Sequence, residues 1–432
     1  SLGTMDARGL LLLALLGLVA VCSGADTSNC KGFPNLQAIS VDDPIFVNQT
    51  ANGMLFVQTS VEPPLFITHV YGSPYEMGYA QGVLLKDQIN QFIPDVFEYM
   101  YTEVENYLGF LPYWLQDAVA EVGVAAALDM TYELTKPYTP EYYYEEMQGL
   151  ADGSGVPYKQ ILQVHMLPEL IKAHCSIIGA WGPAISGTSG SLYQLRALDW
   201  STDGPFQAFP ALTVYHPDEG NGHDFAILGW TGFIGALTGY SSASVGICEK
   251  VWLSYNGTYS RAGIPWMFVL RDILQYDADV DSAINRLNQA ERTCSIFVGL
   301  GDNSINQARI LEYSHDFVNV GDDKNFPEWE EHPSMEGVVY LDKHSQPSTD
   351  TCMGGLLETY YGELDAVKIL QYIAPVQETG DMHIAVYDYA ENYMYVSNAS
   401  PVPPNGNATQ VVPAYNRPFI RLDMNQLFGT NL

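Results

Sequence analysis

Apolar positions recur with two different periods along this chain, and the change falls at Cys175. Residues 26–71 read as an extended entry. Within it, Gly53–Ser60 and Leu65–Tyr71 predict strands, separated by Glu62-Pro63-Pro64. From Pro74 to Leu170 the spacing is helical, with breaks expected at Pro94, Pro112, Pro137, Pro140 and Pro157. Ser154-Gly155-Val156 ahead of Pro157 predicts the start of the last of these helices. Beyond Cys175 short apolar runs predict strands at 175–180, 191–198, 210–216, 224–230 and 244–254. Two helices follow near 264–276 and 279–291, then strands at 294–300, 308–314 and 337–342. A helix near 355–373 and strands at 383–388 and 393–398 close the pattern. Residues 314–337, rich in Asp, Glu and Pro, predict a surface loop. Strands, then helices, then strands at hairpin spacing imply an α+β fold with antiparallel sheets.

Residues 5–25 carry the pattern of a secretory signal peptide. Arg8 precedes an apolar run from Leu10 to Val21, and small residues follow at Ser23, Gly24 and Ala25. That run is shorter than the roughly 20 residues a membrane span needs. No later run is long and apolar enough to span, so a soluble mature chain is expected. The net charge is −32, with 18 Lys and Arg against 50 Asp and Glu. Basic residues are sparse and unclustered, which excludes nucleic acid as a partner. Such a surface repels itself less as carboxylates protonate, which suits an acidic lumen. Four sequons, at Asn48, Asn256, Asn398 and Asn407, point to secretion or a lysosomal address. Outside the signal lie Cys30, Cys175, Cys248, Cys294 and Cys352. This odd number leaves at least one thiol without an intramolecular partner.

Cys175 opens the strand Cys175-Ser176-Ile177-Ile178, and the next strand carries Leu195-Arg196-Ala197-Leu198-Asp199-Trp200. Taken singly, these residues are ordinary. A lone cysteine is usually core or half a disulfide, Arg196 a surface ion pair, Glu249 a solvated strand end and Asn303 a turn residue. Arg196 and Asp199 are three apart, so a regular strand faces them oppositely, and bringing them together needs a bulge or a strand end. The nine histidines show no paired helical spacing, and neither a metal site nor a cofactor is expected. Gly187-Thr188-Ser189-Gly190 lacks the spacing of a nucleophile elbow, and Gly299-Leu300-Gly301 lacks the lysine of a phosphate loop. Phe92, Phe97, Tyr99, Tyr101, Tyr107, Phe110, Tyr113 and Trp114 crowd one helical stretch. They predict helix–helix core, with a lipid-touching apolar lip as the alternative.

Together, Cys175 followed by Arg-x-x-Asp resembles the cysteine-type N-terminal-nucleophile hydrolases, which include acid ceramidase, N-acylethanolamine acid amidase and the penicillin acyltransferases. The likeness is thin but runs along most of the chain. Gly72 to Gly82 resembles the opening of the family's first helix, with small residues at 78 and 82 for close packing. Gly235-Ala236-Leu237-Thr238-Gly239 resembles a loop near the substrate pocket. Val245 to Lys250 resembles the strand that ends in a functional glutamate, here Glu249, with Cys248 where the family usually has Asn. Gly301-Asp302-Asn303 resembles the turn whose amide joins the oxyanion hole. The resemblance implies a four-layer αββα sandwich and cleavage between His174 and Cys175. It implies a mostly helical N-terminal fragment, 26–174, and a catalytic fragment, 175–432, which remain together as a heterodimer from one precursor.

By the same resemblance, Cys175 is the nucleophile and Arg196 favours its thiolate. Asp199 holds the freed α-amine, Glu249 partners an arginine and Asn303 polarises the carbonyl; His174 is a spectator. It also implies a Cys30–Cys352 disulfide, leaving Cys248 and Cys294 either free or mutually paired. The expected activity is hydrolysis of an N-acyl bond in a small-molecule or lipid amide, with peripheral membrane contact. The alternatives are an acyltransferase or peptide/β-lactam amidase of the same superfamily, and an inactive secreted binding or structural protein.

Overall fold

Short apolar runs, most of them buried on both faces, pair into two sheets. The computed structural model describes residues 25–107, 123–170, 173–187, 191–326, 329–400 and 411–432. The signal-like segment before Ala25, Pro112, the aromatic residues 110–114 and Asn407 lie outside these residues. The first sheet has ten strands: β1 (Ile45–Thr50), β2 (Gly53–Gln58), β3 (Leu65–Gly72), β6 (Pro210–Pro217), β7 (Phe225–Trp230), β8 (Thr238–Ser241), β9 (Val245–Val251), β10 (Ile296–Asp302), β11 (Gln307–Tyr313) and β12 (Val318–Gly321). The second has six, in the order β13 (Val338–Leu341), β4 (His174–Trp181), β5 (Leu192–Asp199), β14 (His383–Asp388), β15 (Tyr393–Asn398) and β16 (Ile420–Asp423). Neighbours are antiparallel except β3 and β6. A parallel pair needs a crossover, and this one carries helices together with β4 and β5.

Three apolar clusters show how the elements pack. Ile177 and Leu192 of the smaller sheet meet Leu212, Leu228 and Phe297 of the larger one in a core between the sheets. On its other face the larger sheet buries Ile227, Ile247 and Val298 against helices. These are α1 (Pro74–Leu84), α2 (Lys86–Tyr107), α3 (Val124–Thr135), α4 (Glu141–Ser154), α5 (Tyr158–Met166), α6 (Trp266–Tyr276) and α7 (Val280–Gln289). The smaller sheet covers its outer face with α8 (Cys352–Thr359) and the helical segment from Ala366 to Gln377. The fold is therefore mixed α and β, built on two sheets.

Four expectations are corrected. Pro94 does not end a helix but lies inside α2, where Ile89, Phe92, Ile93 and Val96 are all buried. Tertiary burial outweighs the local penalty of the ring. The helix expected at 355–373 is two helices, separated near Gly362, whose φ of +83° suits only glycine without strain. The loop expected at 314–337 contains β12, paired with β11. Strands β1, β8 and β16 were not expected: β8 and β16 are four residues each, and β1 is exposed at every residue but Thr50. The aromatic stretch is core where it is described: Phe92 and Tyr99 are buried and Phe97 packs on them, while Tyr101 is exposed.

The glycines of the first helix have the expected use. Helix α1 starts at a capping box between Ser73 and Glu76 and crosses α4 with backbones in contact. A Cβ on Gly78 would lie 2.0 Å from the Glu146 carbonyl oxygen, and one on Gly149 of α4 would lie 2.1 Å from that of Tyr75. Gly78→Ala should therefore force the helices apart and cost about 3 kcal/mol, read as a lowered midpoint in urea unfolding.

Buried polar bonds also tie residues before 175 to residues after it. Arg271 on α6 donates to Glu146 at 3.0 and 2.5 Å, and Tyr143 Oη donates to Asp272 at 2.7 Å. Glu169 accepts from the Trp266 amide at 3.0 Å. Cys30 and Cys352 form a disulfide, the pairing that the resemblance implies, and Cys248 and Cys294 are unpaired among the described residues.

Candidate active site

Register places the candidate residues. Strands β4 and β5 pair His174 with Asp199, Cys175 with Leu198 and Ile177 with Arg196. Facing residues share a side of the sheet. Cys175 and Arg196 therefore look toward the larger sheet, while His174, Ser176 and Asp199 look the other way. No bulge unites Arg196 and Asp199; they serve opposite faces of one strand end.

On the inner face, Cys175 is fully buried and its Sγ lies 4.0 Å from Glu249 Oε1. Arg196, equally buried, donates from Nη2 to the same Oε1 at 3.0 Å and from Nε to Thr238 Oγ1 at 3.1 Å. Thr238 also meets His383 Nε2 at 2.8 Å. The Gly235–Gly239 loop thus reaches the site through its threonine. Burial pushes the Cys175 thiol up to about 12, Arg196 and Lys250 pull it down, and Glu249 raises it further. The intact chain therefore holds a neutral thiol. Burial also raises Glu249, with Arg196 opposing.

On the outer face, Asp199 accepts from Thr379 Oγ1 at 2.6 Å and from the Gly380 amide at 2.8 Å. Thr379 in turn meets Ser176 Oγ at 2.6 Å, which links Asp199 to the residue after the nucleophile. His174 is exposed, and its Nδ1 lies 3.1 Å from the Lys343 carbonyl oxygen.

Asn303 is not brought to this cluster. Val298 of β10 faces Glu249, and Asn303 lies five residues further on, at the turn beyond Asp302. That is roughly 16 Å along the strand. A turn motif gives a position in the chain but not which end of a strand meets the site.

The sequence reading also missed Lys250, Thr379, Lys343 and Asp381, all of which surround the Cys175 strand end. Only Lys250 left a signal: a lysine beside Glu249 inside a strand of a lysine-poor chain.

Two spaces meet here. An apolar cavity bordered by Leu198, Trp200, Phe206, Trp230, Leu237 and Trp266 adjoins Glu249. A more open, polar cleft is lined by His174, Asp199, Lys343, His344 and Asp381. Trp200 borders both. In the cleft, burial and the neighbouring Asp199 push Asp381 up to about 7, with Lys343 opposing. Unfolded aspartate titrates near ~3.9, so the folded state binds this proton more tightly. The stability this gives is complete below about pH 4 and is lost as pH rises toward 7. Asp381→Asn should flatten the fall in melting temperature between those limits, measured by calorimetry across pH.

Asp342, His344 and Asp350 present ligand atoms within 4.8 Å of one another. Asp342 is already occupied, accepting from the His344 amide at 2.8 Å. Among the described residues no helix is long and apolar enough to cross a membrane. Asn48 and Asn256 are exposed, and Asn398 is half-buried.

The geometry can be set beside known proteins. No protein-family model matches the chain. Over 423 residues it is 46% identical to protein dcd1A of Dictyostelium discoideum, covering 93% of this chain and 94% of that protein. The chain belongs to the dcd1 family. It is also 24% identical over 192 residues to acid ceramidase of Rattus norvegicus, covering 40% of this chain and 47% of that protein. A solved Caenorhabditis elegans ortholog of N-acylethanolamine-hydrolyzing acid amidase superposes with a TM-score of 0.39 at 14% identity, over 57% of this chain and all of that one. This chain thus stands in distant sequence likeness to the acid ceramidases of rat and mouse, members of the group that the residues around Cys175 resemble.

Proposed function

We propose that this dcd1-family chain is the precursor of a self-processing cysteine amidase that hydrolyses the N-acyl bond of a lipid amide such as a ceramide or an N-acylethanolamine. One observation carries the reading: the Cys175 thiol sits against the Arg196–Glu249 pair, next to an apolar cavity, at the start of a strand whose preceding residue faces an open polar cleft. On this reading the two sheets with their helical covers are a four-layer αββα sandwich of the N-terminal-nucleophile type. Residues 5–25 are a signal peptide, 26–174 the helical fragment and 175–432 the catalytic fragment. The address is secreted or lysosomal, with glycans at Asn48, Asn256, Asn398 and Asn407.

Self-cleavage begins with Cys175 Sγ attacking the His174 carbonyl carbon. The C–N bond breaks, the Cys175 nitrogen takes the thiol proton, and water hydrolyses the resulting thioester. The freed α-amine then serves as the base that the intact chain lacks. An α-amine titrates near ~8, so it accepts the proton of a thiol drawn toward thiolate by Arg196. In turnover the thiolate attacks the acyl carbon, and the leaving amine takes the proton back from the α-ammonium. Water, losing a proton to the α-amine, then releases the acid from the thioester. Asp199, held by Thr379 and Gly380 beside the cut, steadies the α-ammonium. The acyl chain lies in the cavity bordered by Trp200, Trp230 and Trp266, and the head group lies in the cleft.

Intact-mass analysis after incubation at acidic pH, paired with a fluorogenic N-acyl amide assay, tests this reading. The expected result is two disulfide-linked fragments, the larger starting Cys-Ser-Ile-Ile, together with turnover. An uncut and inactive chain favours a binding protein instead. Reduction should separate the two fragments on a denaturing gel but not in native buffer, because Arg271–Glu146 and Tyr143–Asp272 still join them.

A further inference from the structure

Lys250 is a buried cation with no carboxylate in ion-pair contact among the described residues. It is 1% exposed, and its Nζ donates to two main-chain oxygens: that of Cys175 at 3.0 Å and that of Lys343 at 3.2 Å. Adjacent residues on a strand point to opposite sides. Glu249 and Lys250 therefore approach Cys175 from two directions, Glu249 at the thiol and Lys250 at the carbonyl. Burying an ammonium whose hydrogen-bond partners are two main-chain oxygens is costly, and the acidic groups nearby offset that cost only in part.

We propose that Lys250 is a positioning residue for the nucleophile, tethering the Cys175 main chain to the segment after β13 and supplying a second positive charge beside Arg196. The inference rests on the amidase reading and deepens it.

The tether matters most after cleavage. Cys175 is then a chain end, and nothing before it can hold it. Among its remaining anchors are the pairing with β5, the Ser176–Thr379 contact and the Lys250 bond. Lys343, the other end of the bridge, is itself fixed, its Nζ donating to the Glu378 carbonyl oxygen at 2.5 Å. The bridge thus joins β4, β9 and the 343–378 region without using any residue before 175.

The charge acts on the same atoms. Around the thiol stand Arg196 and Lys250 as cations, Glu249 as an acid and Cys248 as a second thiol. Around the Lys250 ammonium stand Cys175, Asp342, Asp199 and Glu249, with His174 also in range. Burial lowers Lys250, and these acidic groups oppose it. Removing its charge leaves Arg196 alone against burial and Glu249, so the thiolate becomes harder to form.

The test is the pH dependence of Cys175 alkylation by iodoacetamide, followed by mass spectrometry on the processed full-length protein and read beside the pH–rate profile of N-acyl turnover. Lys250→Gln keeps a donor without the charge; Lys250→Arg keeps both. In Lys250→Gln, alkylation at fixed pH should be roughly tenfold slower and both profiles should move to higher pH. Lys250→Arg should stay close to wild type. If Lys250→Gln does not fold, Lys250→Met carries the same expectation.

An unmoved profile in the uncharged variant, or an equal loss in Lys250→Arg, overturns the inference. So does failure of both uncharged variants to fold while Lys250→Arg folds, which would assign Lys250 to the fold. A wild type that neither cuts itself nor turns over an N-acyl amide sinks the amidase reading. A wild type that does both, with an unmoved profile in Lys250→Gln, sinks only the role of Lys250.

Discussion

Cys175→Ala should leave the precursor whole after acid incubation and reduce N-acyl turnover at least about a thousandfold. The side chain is small and fully buried, and its loss removes one sulfur atom and its long contact to Glu249, which keeps its bond from Arg196. Circular dichroism and the melting transition should therefore resemble those of the uncut wild type. Cys175→Ser separates the two reactions. Its hydroxyl has the same amine available but is a weaker nucleophile, so slow cutting with little turnover is expected. Mass spectrometry reads the first and the fluorogenic assay the second. Normal fragments from Cys175→Ala would place the cut, and the nucleophile, elsewhere in the chain.

Arg196→Ala should abolish turnover and also destabilise the fold in a pH-dependent way. It strands Glu249, 1% exposed, whose Oε1 loses its guanidinium and whose Oε2 already has no hydrogen-bond partner. Breaking a buried pair from one side costs about 3–5 kcal/mol. That cost depends on Glu249 being ionised. Burial already raises this carboxyl, and without Arg196 it rises further. Below the unfolded value, near ~4.3, Glu249 is protonated in both states and the cost is absent. It grows as pH climbs from there toward the raised folded value. Melting temperatures at pH 4 and pH 7.5 should therefore differ more in Arg196→Ala than in wild type. Adding Glu249→Gln should restore stability at neutral pH without restoring turnover. A single variant with wild-type activity would remove Arg196 from the mechanism.

Much of the architecture is legible in local pattern, because strands buried on both faces leave short apolar runs in the sequence. The strands at Cys175–Ala180, 383–388 and 393–398 fall where those runs lie. Gly78 and Gly82 announce a close helix crossing because only an absent Cβ permits it. Short or exposed strands such as β8 and β1 leave too little pattern to read, and their existence depends on neighbours contributed by distant sequence. Pro94 shows the converse: a strong local signal overruled by burial on both sides of it.

The candidate site divides along the same line. Cys175, Arg196, Asp199 and Glu249 are picked out by the resemblance of their order to the cysteine-type N-terminal-nucleophile hydrolases, and the tertiary structure brings the thiol, the guanidinium and the Glu249 carboxylate into contact. Order cannot say which face or which end of a strand a residue occupies. Strand pairing puts Asp199 behind the sheet with Thr379, and the length of β10 carries Asn303 away from Cys175. Lys250, Lys343 and the Thr379–Asp381 segment come from three separate places in the chain, and no spacing rule links them. The sequence by itself determined the elements and the chemical inventory, because periodicity and residue type are local properties. Which of those groups share one strand end, buried together and changing one another's charge, was decided by the tertiary structure alone, because contact across sheets and desolvation exist only once the chain is packed.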